Sequence, residues 1–179
     1  MSDFAQIVVD TEVSAEQAPE LANVVRAWLI GERIIEREEG NSVLDGTGHR
    51  PGISYRIAIQ ENRDFDFLNL RVKFAVGRRV FDAGGNGMEL GCDACGLSFK
   101  PNDSWYDAAC AWFDGDDLVT FACPSCDQQT LLTEWGGPWP WGFGNLGIEF
   151  WNWPSLSDDF IQAMTRNLGH RTVLVRLHL

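Results

Sequence analysis

Two pairs of cysteines constrain this chain more than any other feature. Cys92-Asp93-Ala94-Cys95-Gly96 and Cys123-Pro124-Ser125-Cys126-Asp127 lie in the stretch from Leu90 to Leu132, and they use four of the five cysteines. Each C-x2-C pair can curl two thiolates toward one point, and a connector of this length can fold back to bring the pairs together. The spacing therefore meets the requirement of a tetrahedral four-cysteine metal site.

The local residues suit such a site. Two residues between cysteines form a turn whose backbone N–H groups point at sulfur and offset its charge. Gly96 allows the left-handed backbone that the turn needs, and Pro124 fixes the chain direction without leaving an N–H unpaired. On these residues, 90–132 resembles the zinc-ribbon and rubredoxin-like families, in which two knuckles on neighbouring hairpins clamp one metal. Asp127 stands where those families usually carry a second glycine, so a second turn that is more strained or differently hydrogen-bonded is expected. The resemblance implies Cys92, Cys95, Cys123 and Cys126 as ligands of zinc, with iron as the alternative, since four-cysteine spacing is compatible with either. Four protein ligands would leave no open position for substrate or water, which points to a structural ion.

Charge bears on partners. The chain has 26 acidic residues against 14 basic ones, a formal net charge of −12. Between Glu89 and Asp127 the only base is Lys100, against Glu89, Asp93, Asp103, Asp107, Asp114, Asp116, Asp117 and Asp127. Nucleic-acid phosphates and anionic lipid would be repelled, whereas a basic protein partner would be attracted. No apolar run approaches a membrane span, and Met1-Ser2-Asp3-Phe4 has no signal-like basic and apolar regions. With cysteines arranged for metal, a reducing cytoplasm is the expected location.

Along the chain, Phe4 to Asp10 reads as a strand, and Ser14 with Gln17 has capping-box spacing before a helix. Pro19 alternatively marks the first turn. Leu21, Val24, Val25, Trp28 and Leu29 supply the buried face, Gly31 ends the helix, and Arg33 to Arg37 reads as a second strand. The polar, glycine-rich run from Glu38 to Gly52 reads as a loop. Alternation at Ile53, Tyr55, Ile57 and Ile59, and again from Leu68 to Val76, predicts two strands joined through Glu61-Asn62-Arg63-Asp64, with Val80-Phe81 adding a third. Gly84-Gly85-Asn86-Gly87 lacks the lysine and hydroxyl of a phosphate loop and reads as a turn. Within the ribbon, Ala109 to Phe113 and Leu118 to Ala122 read as a hairpin around Asp114-Gly115, with Cys110 as a small core residue.

Ser157, Asp158 and Asp159 open a second helix with Phe160, Ile161, Met164 and Leu168 inward, Gly169 stops it, and Thr172 to Leu179 returns as a strand. Both ends of the chain thus read strand, helix, strand, with Gly-x-Arg at the turn (Gly31-Glu32-Arg33 and Gly169-His170-Arg171). The expected fold is α+β, a ferredoxin-like or related sandwich. Its core would span 1–88 and 133–179, and the zinc ribbon would be inserted at 89–132.

Five of the eight tryptophans fall between Trp135 and Pro154. They could roof the junction of ribbon and sheet, or form a groove in which Trp139, Trp141, Trp151 and Trp153 bind a ligand or partner. Gly142, Gly144 and Gly147 match G-x-G-x-x-G, but a Pro/Trp loop precedes them and a β-like run follows, which argues against dinucleotide binding. The run from Ile148 to Trp153 reads as a central strand. His49, His170 and His178 are scattered, and no catalytic set emerges. The expectation is a non-catalytic zinc protein acting as a binding module. The alternatives are a rubredoxin-like electron carrier and an enzyme with a Trp-lined cleft.

Overall fold

The computed structural model describes residues 3–42, 46–60, 69–84 and 87–179. Strand β1 (Phe4–Asp10) leads to α1 (Ala18–Gly31), then to β2 (Ile35–Ser42), β3 (Gly46–Pro51) and β4 (Arg71–Phe81). Two short strand pairs follow, β5 (Leu90–Gly91) with β6 (Ser98–Phe99) and β7 (Thr120–Ala122) with β8 (Gln129–Leu131), and α2 (Asp103–Phe113) lies between them. The chain closes with β9 (Gly142–Trp151), α3 (Asp158–Leu168) and β10 (Thr172–His178). Six strands form one antiparallel sheet in the order β10-β1-β9-β4-β3-β2. The architecture is therefore mixed α and β, with a mostly antiparallel sheet and three α-helices among the described residues.

Strand β1 is central because both of its faces are apolar. Val8 faces α1 and α3, whereas Ala5, Ile7 and Val9 belong to a second cluster on the opposite face. Helix α1 begins at Ala18 with Pro19 in its first turn, the later of the two expected starts. Ser14 Oγ accepts from Gln17 N at 3.2 Å in the turn before it. Ala18, Ala22, Val25 and Leu29 form its buried stripe, while Val24 is exposed. In α3, Ser157 caps Phe160 N at 3.2 Å, and Phe160, Met164 and Leu168 point inward.

The two terminal units differ in span. Strands β9 and β10 run parallel to each other on either side of β1, joined by α3, so that crossover spans one strand. Strands β1 and β2 are also parallel, but β9, β4 and β3 lie between them.

Three sequence expectations are corrected. The Glu38–Gly52 region is not a loop but contains most of the β2–β3 hairpin. The alternating run at Ile53–Ile59 forms a 3-10 turn at Tyr55–Ala58, with Tyr55, Ala58 and Ile59 buried and Ile53 and Ile57 exposed. Over seven residues a period of two and a period near three select many of the same positions, and the tertiary contacts of Tyr55 and Ala58 decide. Ala109 to Phe113 belongs to helix α2, not to a hairpin, and Cys110 on it is exposed rather than a core residue. The Glu61–Asp64 connection, Leu68 and Gly85-Asn86 lie outside the described residues.

Strand β4 runs through Val80-Phe81 but shifts register between Val76 and Arg79. Beyond this bulge the β4–β9 ribbon bends over the second face of the sheet, and Gly84 reaches His178 of β10. The bend explains the glycines of β9. A Cβ on Gly144 would sit 2.5 Å from the carbonyl oxygen of Asp10, and one on Gly147 would sit 2.5 Å from the Phe81 ring. The G-x-G-x-x-G pattern here marks close backbone packing within a strand.

Candidate metal centre

Each C-x2-C pair sits at the tip of its own short hairpin, the first between β5 and β6, the second between β7 and β8. The two turns are built alike. Cys92 N donates to Leu97 O and Gly96 N to Cys92 O, at 2.9 and 2.8 Å. Cys123 N donates to Gln128 O and Asp127 N to Cys123 O, at 2.9 and 3.0 Å. Gly96 has φ 73° and Asp127 has φ 57°, so the aspartate takes the left-handed conformation that glycine takes in the first turn. For an L-residue this geometry is costlier than for glycine, although aspartate tolerates it better than most.

The four sulfurs lie within 4.8 Å of one another. The inter-knuckle pairs Cys92–Cys126 and Cys95–Cys123 are each 3.7 Å apart. A tetrahedral ion with bonds of about 2.3 Å needs sulfurs about 3.8 Å apart, so the cluster has the dimensions of a metal site. A disulfide would need about 2.05 Å. Four protein sulfurs at this spacing would fill all the positions of a tetrahedral ion.

Burial and hydrogen bonding divide the thiols. Cys92 and Cys123 are buried, while Cys95 and Cys126 are exposed. Burial alone pushes the Cys123 thiol up, but the Ser125 and Cys126 N–H groups and the neighbouring Cys92 and Cys126 thiols together outweigh it and hold Cys123 down at about 7. Cys126 goes the other way. The Gln128 N–H favours its thiolate, yet burial and its place beside Cys95, Cys123 and Cys92 leave it pushed up to about 12. A cation at the centre removes that mutual opposition, because metal binding requires all ligands deprotonated.

Beneath the sulfurs lies an apolar cluster. Leu90, Cys92, Trp105, Trp112, Phe121, Cys123 and Leu132 belong to it, but so do Trp135, Trp141 and Phe143 from beyond the ribbon. Phe143 of β9 meets Trp112 edge-on with ring centroids 4.8 Å apart, and it contacts Trp141 at 5.5 Å. Arg78 of β4 clamps the junction. Its Nε donates to the Trp112 carbonyl near the C-terminus of α2 at 2.7 Å, its guanidinium stacks 4.3 Å over the Trp112 ring, and it pairs with Asp117.

The structure does not gather Trp139, Trp141, Trp151 and Trp153 at one place. Trp139 is exposed, Trp141 lies in the cluster under the metal site, Trp151 packs on the second face of the sheet, and Trp153 is fully buried against the helices. The strand read from Ile148 to Trp153 stops short of Trp153: β9 ends at Trp151, and the left-handed Asn152 (φ 59°) turns Trp153 to the face opposite Trp151. Glu149 pairs with Arg79 at 3.3 Å and accepts from Trp151 Nε1 at 2.8 Å, and no histidine among the described residues pairs with it.

One polar pair escaped the sequence. His170 Nδ1 lies 2.9 Å from Oδ2 of the fully buried Asp10, whose Oδ1 accepts from Glu12 N and Val13 N. It ties the end of β1 to the turn after α3, and a separation of 160 residues left no local signal. His49 is held by the Glu36 carbonyl at 3.0 Å. Among the described residues, the four cysteines are the one group able to hold a metal through three or more His, Cys, Asp or Glu side chains, and no helix is long and apolar enough to cross a membrane. Compared with protein-family models, curated proteins and solved structures, the chain matches none of them.

Proposed function

We propose that this chain is a non-catalytic zinc protein, in which Cys92, Cys95, Cys123 and Cys126 hold one structural ion and the lobe so folded, expected at 89–132, serves as a binding module for a protein partner. The observation that carries this reading is the closed tetrahedral spacing of the four sulfurs on two like-built knuckles. When bound, the ion supplies cross-linking of two hairpins whose strands are only two or three residues long, and such hairpins are not self-sufficient in water. The same knuckle construction supports the zinc-ribbon likeness. For the body, the order β10-β1-β9-β4 with α1 and α3 on one face supports a ferredoxin-like core, to which β2–β3 adds an edge hairpin and the lobe an insertion between β4 and β9.

A net charge of −12 supports a basic partner and disfavours nucleic acid, and cysteines placed for metal rather than for disulfides support a reducing cytoplasm. Elemental analysis of the protein as isolated from cells tests the reading. One equivalent of zinc in a colourless protein is the expected result, together with no turnover that depends on a pocket acid or histidine. The exposure of Cys95 and Cys126 favours a second reading, a rubredoxin-like iron centre near enough to the surface for electron exchange. A red protein with reversible one-electron chemistry would establish that reading and remove the first.

A further inference from the structure

Helix α2 carries two apolar faces, and only one has a partner. Trp105, Ala108, Ala109 and Trp112 are buried in the lobe's core. Tyr106, Cys110 and Phe113, spaced i, i+4 and i+7, form a second stripe that faces solvent. Tyr106 and Phe113 are 55% and 48% exposed, far more than large aromatics usually are. They are nevertheless held in place, since each ring rests edge-on against a buried tryptophan at 5.3 Å, Tyr106 on Trp105 and Phe113 on Trp112. The stripe forms one wall of a groove of about 420 Å³, and Val80, Asp82 and Met88 line the other.

Among the described residues, the charged side chain in the groove's lining is acidic, and so is the adjoining side of α2. Asp82 lies in its wall, and Asp103, Asp107 and Asp114 are exposed along the adjoining side of α2. The two arginines just before Val80 are directed elsewhere, Arg78 to Asp117 and Trp112, Arg79 to Glu149. We propose that this groove is the docking surface for a short amphipathic, cationic segment of a partner protein, which lays apolar side chains against Tyr106, Cys110 and Phe113 and directs Lys or Arg toward the flanking aspartates. Rigid aromatic anchors and an acidic rim match that chemistry. A second copy of this chain does not, because each copy carries −12. The inference rests on the binding-module reading and narrows it, since α2 lies between the two knuckles and an ion there would anchor the hairpins before and after it.

The test uses the full zinc-loaded chain and a fluorescein-labelled peptide of leucine and lysine patterned at helical spacing, read by anisotropy. Phe113→Ser and Tyr106→Ser should each weaken binding by about tenfold or more, as truncation of an interface anchor does. So should replacing the peptide's lysines by glutamate or its leucines by serine. Bound peptide should slow amide exchange at 80–84 and 103–114. Cys110→Lys, at an exposed position in the middle of the stripe, gives the same loss if a serine variant fails to fold. Unchanged affinity in folded variants, equal binding of the glutamate peptide, protection confined to 91–94 and 128–135, or absence of binding would each overturn the groove. Such a result in a protein with one equivalent of zinc and no turnover leaves the module reading standing, whereas a metal-free or iron protein removes that reading whatever the peptide does.

Discussion

The sheet body and the cysteine lobe are held together by different means. In the body, strands of up to eleven residues pair in one six-stranded sheet, and the core between the sheet and α1 and α3 contains Leu29, Ile148, Phe150, Trp153 and Met164, all fully or almost fully buried. Burying side chains of this size contributes roughly 1.5–3 kcal/mol each, enough to hold such a layer without a cross-link. The lobe has strand pairs of two and three residues, and its core is completed by Trp135, Trp141 and Phe143 from the segment that follows it. On the proposed reading, length of pairing does for the body what four sulfurs around an ion would do for the lobe.

The strongest way to break this contrast is to take the metal away. Structural zinc contributes on the order of 10–16 kcal/mol of binding free energy in small four-ligand modules. Chelation, or Cys123→Ser, should therefore melt the lobe while the body persists. Near-UV circular dichroism and fluorescence from Trp105, Trp112, Trp135 and Trp141 should collapse, whereas far-UV signal and amide protection in β1, β9 and α3 should remain. Retention of the lobe's tryptophan signals without metal would end the distinction.

The converse perturbation strikes the body. Gly144→Ala forces a Cβ to 2.9 Å from the Val9 side chain and 2.5 Å from the Asp10 carbonyl, and the latter is backbone that cannot swing aside. A loss of about 3 kcal/mol or more is expected in urea unfolding, with one equivalent of metal still bound at the onset. Because Phe143 next to it serves the lobe's core, the lobe should follow the body in this variant.

Acid sharpens the contrast on the lobe's side. Cys126, pushed up to about 12, enters the neutral range protonated and must surrender its proton to the metal at any ordinary pH. In the melted, metal-free lobe Cys123 returns to its ordinary value, so its depression from 9.0 to about 7 favours the folded lobe in full above 9.0, and that contribution is lost as pH falls through about 7. Log metal affinity should therefore fall toward acid and level off as pH rises through about 9, where the freed thiols ionise without metal, as read by competition with a chromogenic chelator. An affinity independent of pH below about 8 would contradict the assignment, and body unfolding should show no matching inflection.

What could be read from the residues follows the same division. The four-cysteine cluster was legible because a C-x2-C pair is a local signal, and α3 was legible because Ser157, the Phe160, Met164 and Leu168 spacing and Gly169 all agree. Helix α2 was misread although Asn102 caps Trp105 N at 3.0 Å and Trp105, Ala109 and Trp112 recur at helical intervals. The small residues between the aromatics mimicked alternation, and Asp114-Gly115, which ends the helix, looked like the centre of a hairpin. The return of β4 and β9 over their own sheet, and the pairing of Asp10 with His170, depend on contacts distant in sequence. The glycines of β9 announced the first only as a pattern with another, better-known meaning.

The finest probe compares the knuckles with each other. Both turns need a left-handed residue after the second cysteine, and the first supplies glycine where the second supplies aspartate. Left-handed backbone costs an ordinary L-residue about 1–2 kcal/mol, aspartate less, and glycine gives back about 0.5–1 kcal/mol through the greater freedom of the unfolded chain. Asp127→Gly should then change the lobe's stability by no more than about 1 kcal/mol, in the stabilising direction, and also remove one negative charge beside the thiolates. Gly96→Ala has no such offset, since alanine lacks the local hydrogen bonding that helps aspartate hold this conformation, and should cost about 1–2 kcal/mol. Both effects belong in the lobe's transition, measured as the chelator concentration that releases half the metal, with body unfolding in urea unmoved. If Asp127→Gly instead destabilises the lobe, the aspartate is held by something other than its backbone, and the two knuckles are not the equivalent halves of one clamp that their hydrogen bonds describe.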